Sequence, residues 1–276
     1  MSATIDTPTG QAHGGAWDCH VHVFDAGAPV LPGHYRPTTR SLAEIESRAA
    51  AEGVTRLVLV QPSVYGTDNS LLLHALRARA GRHRGVAVVA PDVSDAQLDE
   101  LHAAGVRGVR LNQVSPVGAR WHPAEMLRGL APRLRERDWH VQWYLHRAQL
   151  ADVVPLQDQT GLTFVFDHLA GIDAATEPDD PAWTALAALA GRGAWVKLSG
   201  WYRLKACVPY DAIHGPVQRV AGMFGSNIVW GSDWPHTSLA EAAELPYAAT
   251  WRPVTQVLPP AVADAVRRSH PPRLYW

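Results

Sequence analysis

The chain has 276 residues, of which 47% are hydrophobic and 18% charged, with a formal net charge of −1. That is enough to build one large core, and the near-neutral balance offers no basic face for nucleic acid or an anionic membrane. Two cysteines, Cys19 and Cys207, are too few for a disulfide framework, and no apolar run approaches the roughly 18 residues of a membrane span. Residues 1–16 are small and polar, without the basic start and apolar centre of a signal peptide. They are expected to form a disordered or extended N-terminus ahead of a single catalytic domain over 17–276, in a soluble, cytoplasmic protein.

The first predicted strand, 17–23, opens on Asp18-Cys19-His20-Val21-His22-Val23-Phe24. Residues i and i+2 of a strand share a face, so His20 and His22 are expected side by side, with Cys19 and Val21 turned the opposite way. The stretch 27–40, rich in Pro, Gly and Tyr, is too long for an ordinary βα turn and is expected to overlie the site. Helical spacing of Leu, Ile and Ala follows over 41–51, with Ser41 and Glu44 in capping positions, and again over 69–80, 95–104 and 124–137. Between and beyond these lie further strand-like runs at 54–61, 85–90, 106–111, 140–145, 162–167, 194–199 and 227–232. Strand alternating with helix indicates a parallel sheet, and eight such units indicate closure into an α/β protein of the (β/α)8 barrel type.

In such a barrel the catalytic groups stand at the C-terminal ends of the strands. Those ends deliver, in order, His20 and His22, the block 61–69, Asp92, Arg110 and Asn112, Tyr144 and His146, Asp167 and His168, Ser199 to Arg203, and Asp233 to His236. An Asp closing a buried strand is costly without partners, so Asp233 is either a cap or a working group. There is no Gly-rich phosphate loop and no Gly-x-Ser-x-Gly elbow, and the parity of Cys19 argues against a thiol nucleophile. What remains is hydrolysis by water, with Asp233 as general base and imidazole or guanidinium groups polarising a carbonyl.

Several blocks together carry a resemblance. They are Asp-x-His-x-His at 18–22, Gln61-Pro62-Ser63-Val64-Tyr65-Gly66-Thr67-Asp68-Asn69, Gly105-Val106-Arg107-Gly108-Val109-Arg110-Leu111-Asn112, Asp167-His168 and Val196-Lys197-Leu198-Ser199. Trp230-Gly231-Ser232-Asp233-Trp234-Pro235-His236 and Pro272-Arg273-Leu274-Tyr275 complete the set. The chain resembles the amidohydrolase superfamily of TIM barrels, in the branch of 2-pyrone-4,6-dicarboxylate lactonase and the related sugar-acid and sulfomuconolactone lactonases. The resemblance implies a lactonase opening an anionic, carboxylated or sulfonated lactone, with a place in the catabolism of aromatic or sugar acids. It makes Asp233 the base, places His20, His22 and His168 around the carbonyl and the attacking water, and gives Arg110 and Arg203 a substrate carboxylate to bind. Tyr35, Ser63 and Tyr144 fall at substrate-contacting positions. The dicarboxylate enzyme has a further arginine six residues after the Arg110 position, where this chain has Pro116, so a second carboxylate would lose a partner. Gln142 and His146 also depart from that enzyme's pattern.

A two-metal site needs a bridging Lys or Glu at the fourth strand end, and Arg110-Leu111-Asn112 offers none. The resemblance favours no metal and no other cofactor; the alternative is one Zn²⁺ held by His20, His22, Asp233 and either His146 or His168. Of the remaining residues, Arg107 is expected to face the helices, Trp201 and Trp234 to line the pocket, and His236 to support Asp233. His74, His83, His102 and His270 are expected in solvent, and Lys197, inside a strand, is either an ion-pair partner or a catalytic group. The expected partner is a small anionic lactone, with no nucleic acid or membrane, and the sequence is silent on oligomeric state. Competing readings are a lactone isomerase using the same Asp and His for proton transfer, a metal-dependent decarboxylase, and a non-catalytic binder.

Overall fold

A computed structural model describes residues 15–32, 35–118, 121–237 and 245–276. Eight parallel strands pair in sequence order: β1 (Ala16–Val21), β2 (Val54–Val60), β3 (Arg84–Ala87), β4 (Val106–Asn112), β5 (His140–Tyr144), β6 (Phe164–Phe166), β7 (Trp195–Leu198) and β8 (Ile228–Trp230). Among the described residues seven α-helices fill the crossovers: α1 (Leu42–Ala51), α2 (Ser70–Ala78), α3 (Asp95–Ala104), α4 (Pro123–Arg135), α5 (Leu150–Thr160), α6 (Pro181–Gly191) and α7 (His214–Phe224). Three short ones, α8 (Arg252–Val257), α9 (Pro260–Arg268) and α10 (His270–Tyr275), follow the last strand. This is the expected (β/α)8 barrel. No helix among the described residues is long and apolar enough to cross a membrane.

The expected strands overrun the observed ones by one to three residues at most of their C-terminal ends, because the backbone leaves the ladder where the polar site residues begin. The expected helix limits agree to within two residues at each end. Ser41 caps α1 by accepting from Glu44 N, while the full reciprocal box is found at α3, between Ser94 and Gln97. The N-terminal expectation over 1–16 lies mostly outside the described residues, and Ala16 already belongs to β1.

The barrel closes at its catalytic end. Val21 bridges Trp234 in parallel, His22 N donates to Trp234 O at 2.9 Å, and Asp233 N donates to His20 O at 2.9 Å. Below this seam the buried Asp18 carboxylate accepts from Ser232 N (2.9 Å), His20 N (3.1 Å) and the Tyr247 hydroxyl (2.8 Å). Burial pushes its pKa up, against these hydrogen bonds. Asp18 thus ties β1 to the end of β8, and so fixes His20 against Asp233.

The parity argument for β1 fails at one point. Between the pairs Asp18↔Leu57 and Val21↔Leu59, β1 carries an extra residue, a bulge. Cys19 therefore packs with Trp17, Val58, Val60, Val86, Val165 and Val229, side chains from strands all round the barrel, while His20 also reaches the site. Cys19 lies inside the barrel beneath the histidines, and burial pushes its thiol well up. A thiol nucleophile is disfavoured by that burial, not by parity.

Candidate active site

Asp233 stands in the left-handed region at φ 60°, a conformation that non-glycine residues adopt rarely, Asp and Asn least so. This turn after β8 aims its side chain across the barrel mouth instead of along the strand. Oδ2 accepts from Arg203 Nε and from the Tyr202 hydroxyl (2.7 Å). Oδ1 faces His20 Nε2 at 3.5 Å and His22 Nε2 at 3.4 Å, and His168 Nε2 lies 3.8 Å from Oδ2. Sequence positions 20, 22, 168, 203 and 233 thus meet round one carboxylate.

A hydrogen bond at the far side of the ring settles one tautomer. His22 Nδ1 is 2.8 Å from Val60 O, a pure acceptor, so Nδ1 carries the proton and Nε2 a lone pair. His20 Nδ1 stands between an acceptor, Asp167 Oδ1 at 3.1 Å, and a donor, Lys197 Nζ at 3.4 Å. His168 Nδ1 lies 3.0 Å from Ser199 Oγ. Burial pushes all three imidazoles down, that of His168 to about 4, so each is neutral near pH 7. The bare Nε2 of His22 and Asp233 Oδ1 then confront each other, and His20 Nε2, His168 Nε2 and Asp233 Oδ1 are buried without a hydrogen-bond partner.

Burial alone would raise the Asp233 pKa, but Arg203 first, then His168, hold the carboxyl well below its usual range. Asp167 is likewise held down against burial, by His20, Lys197 and Arg110. Its Oδ2 accepts from Arg110 Nε and Gln142 Nε2, each at 3.1 Å. Gln142 Oε1 in turn accepts from Lys197 Nζ at 2.6 Å, and the same ammonium reaches Cys19 O at 2.9 Å and Asp167 Oδ1 at 3.6 Å. Lys197 is fully buried, so it is an ion-pair partner of Asp167. Asp167 was legible as a polar residue at a strand end and Gln142 as a departure from the related enzyme's pattern, but nothing in their spacing announced this network.

The counter-ions of the two arginines are also resolved. Arg110 and Arg203, which the resemblance gives a substrate carboxylate to bind, are paired within the protein with Asp167 and Asp233. Among the described residues Arg110 makes one hydrogen bond, through Nε, so its terminal nitrogens remain for a ligand. A chamber of about 130 Å³ lies above the carboxylates, lined by His22, Tyr35, Ser63, Arg110, Asn112 and Tyr144 among others. Asn112 Nδ2 donates to Ser63 Oγ at 2.6 Å. Tyr35 is carried there by the segment after β1, which packs on Phe24 as expected of a covering loop; Gly33 and His34 lie outside the described residues. Pro116 lines the same chamber.

Two glycines are required by close approach. A Cβ on Gly231 would collide with His20 Cβ, and one on Gly200, at φ 63°, with the His168 ring. Other expectations are corrected. Trp201 turns into the core with its indole N–H on Thr250 O, and Trp234 is buried in the same core. His83 is buried, accepting from Leu57 N and meeting Glu46, and His270 is buried on Ile228 O, so neither is solvated. Buried His236 bonds Ser232 O and packs edge-on against Tyr202, one step from Asp233. Arg107 bonds His102 O and Val106 O, on the helix side as expected.

His20, His22 and Asp233 have the donor types and mutual proximity to hold one divalent cation, and His20, Asp167 and His168 form a second such group. His146 belongs to neither: it is exposed beyond Tyr144.

The amidohydrolase family model matches residues 17–275. The chain belongs to the amidohydrolase family. It is 30% identical to the 2-pyrone-4,6-dicarboxylate hydrolase of Comamonas testosteroni over 95% of this chain and 90% of that protein. It is 28% identical to the 4-sulfomuconolactone hydrolase of Rhizobium radiobacter, over 84% of this chain and 79% of that protein. A solved Pseudomonas putida structure, assigned as a 2-pyrone-4,6-dicarboxylic acid hydrolase, superposes with a TM-score of 0.82 at 32% identity, covering 95% of this amidohydrolase and 98% of that chain.

Proposed function

We propose that this amidohydrolase hydrolyses the ring ester of a lactone bearing one carboxylate or sulfonate. The observation that carries the reading is the asymmetry of Asp233: one oxygen is anchored by Arg203 and Tyr202, and the other has no hydrogen-bond partner and faces the lone pair of His22 Nε2. A water lodged between Asp233 Oδ1 and His22 Nε2 finds acceptors for both of its hydrogens and turns its lone pairs toward the chamber. Asp233 takes a proton as the water oxygen bonds to the lactone carbonyl carbon. The tetrahedral intermediate then collapses, the ring C–O bond breaks, and the departing alkoxide recovers a proton from Asp233. Arg203 serves in two ways. It depresses the basicity of Asp233 in the free enzyme, and a substrate anion competing for its guanidinium loosens that hold as the reaction begins.

Relatives named for a pyrone dicarboxylate and for a sulfomuconolactone support an anionic substrate. The small chamber with Arg110 on one wall and Pro116 on another supports one ring and one anion. The reaction is read as metal-free because the site already sets three cations, Lys197, Arg110 and Arg203, against the two carboxylates Asp167 and Asp233; a divalent ion would add to an excess of positive charge. Were zinc bound, His20, His22 and Asp233 would hold it, and it would lower the pKa of a bound water. Two free cysteines fit a reducing cytoplasm, and the substrate class fits breakdown of aromatic or sugar acids.

The test compares a carboxylated lactone with its neutral ester by proton release, in the native enzyme and in Arg110→Met. Loss of one charge-assisted contact, about 1.5–3 kcal/mol, lowers kcat/KM by roughly 10–100-fold for the acid and much less for the ester. Equal turnover of both substrates by both proteins would remove the anion-binding role.

A further inference from the structure

Beyond the catalytic chamber lies a second cavity of about 670 Å³, between the loops that follow β4, β5, β6 and β7. The two share Val114, Tyr144 and Arg203, so these residues form a common neck. Tyr144 is set between two guanidiniums there, with Arg110 Cζ 5.4 Å and Arg203 Cζ 5.7 Å from its ring centroid. Past the neck the walls are apolar: Leu145, Ala148, Ala151, Ala182, Ala185 and Leu204. Their small side chains leave the space open. Arg147, within the same wall, is matched by Asp180 at 3.0 Å and Asp173 at 4.0 Å. Asp180 also accepts from Ala182 N at the start of α6. The charges of Arg147, Asp173 and Asp180 are therefore met within the protein, Lys205 and His146 are exposed on the lining, and the rest of what the groove offers a ligand is mainly apolar surface.

From this continuity we infer that the groove is a substrate subsite: the lactone carries, besides its anion, an apolar alkyl or aryl arm that leaves the ring beside Tyr144 and lies along Ala148 and Ala151. The inference deepens the lactonase reading and rests on it for the word substrate. A ring with a single anion accounts for the inner chamber and leaves a cavity several times larger unexplained; an arm of four or more carbons fills it. Pockets that bury most of a ligand are predominantly apolar with a few placed polar groups, and the two chambers divide those tasks between them.

The experiment uses two paired series, lactones with no arm or with a butyl or phenethyl arm, and the matching lactams, which resist hydrolysis and report binding by calorimetry. Each buried methylene is worth roughly two- to threefold in a part-open groove, so a butyl arm is expected to raise kcat/KM and to tighten lactam Kd by on the order of tenfold or more. Ala151→Trp and Ala148→Trp, at exposed positions on the groove wall, are expected to abolish that gain and leave the unsubstituted lactone unchanged. Turnover of the unsubstituted lactone with no gain from an arm overturns the subsite and leaves the lactonase reading standing. If no lactone is hydrolysed, the lactonase reading falls and the lactams still decide: Kd values that are equal, or undetectable, with and without the arm overturn the subsite. A Trp variant that weakens armed and unsubstituted ligands alike also overturns it.

Discussion

Replacing Asp233 by Asn tests the core of the proposed chemistry, and the structure fixes what else the change does. The amide oxygen can take the place of Oδ2, accepting from Arg203 and Tyr202, and the amide nitrogen then faces His22 Nε2, which lacks a donor. Asn is thus well accommodated sterically and better matched to that lone pair than Asp is. The cost is electrostatic. Removing one partner of a fully buried pair costs about 3–5 kcal/mol, but the Arg203 side chain is 14% exposed and keeps one neutral acceptor. A loss of about 1–3 kcal/mol is therefore expected, small enough for a domain stable by roughly 5–15 kcal/mol to remain folded. Activity changes far more, because an amide cannot take the proton: kcat should fall by about 10²–10⁴-fold with KM little altered. The assay is steady-state proton release on a carboxylated lactone, with a denaturant melt on the same preparation. A folded Asn variant that retains more than a tenth of native kcat would refute the assignment of the base.

Stability should fall as pH drops from about 6.5 towards 4. His168 and His140 are held by burial at about 4 and about 3, below their unfolded value. In that window the unfolded chain binds protons that the native state refuses, costing about 1.4 kcal/mol per pH unit for each ring. Asp167 and Asp233, held down in the native state, stabilise it above the unfolded carboxylate value, and that contribution is lost below about pH 4 as pH falls through their native values. Urea midpoints that stay constant from pH 6.5 to 4 would contradict this. Exhaustive dialysis against a chelator should leave kcat/KM unchanged, with well under one zinc per chain by elemental analysis; activity lost and restored by zinc alone would show a metal at His20, His22 and Asp233. Lys197→Met should lower kcat roughly tenfold with KM unchanged, since Lys197 orders Gln142, Asp167 and His20 and lines neither cavity. A rise in KM with kcat intact would show instead that it reaches the substrate.

Strand-and-helix alternation, capping residues such as Ser41 and the polar residues at strand ends follow from local chemistry, so the barrel and the placement of His20, His22, His168 and Asp233 at its mouth could be read from the chain. Periodicity reports which way a regular strand points its side chains, and in β4 it placed Arg107 and Arg110 on opposite sides. It failed in β1, where a bulge turns Cys19 into the barrel, because one inserted residue reverses parity and is visible only in the pairing with β2. Pairings between distant strands were equally hidden. Asp18 with Ser232 and Tyr247, Lys197 with Gln142 and Asp167, and each arginine with its carboxylate join residues that only the closed barrel brings within 4 Å. The sequence by itself determined which groups are available at the mouth and what chemistry they can perform, since residue type and strand position are local properties. Tertiary structure alone decided which oxygen of Asp233 lacks a partner, which nitrogen of His22 is bare, and that a groove continues past Tyr144, since hydrogen-bond partners and empty space belong to the assembled fold.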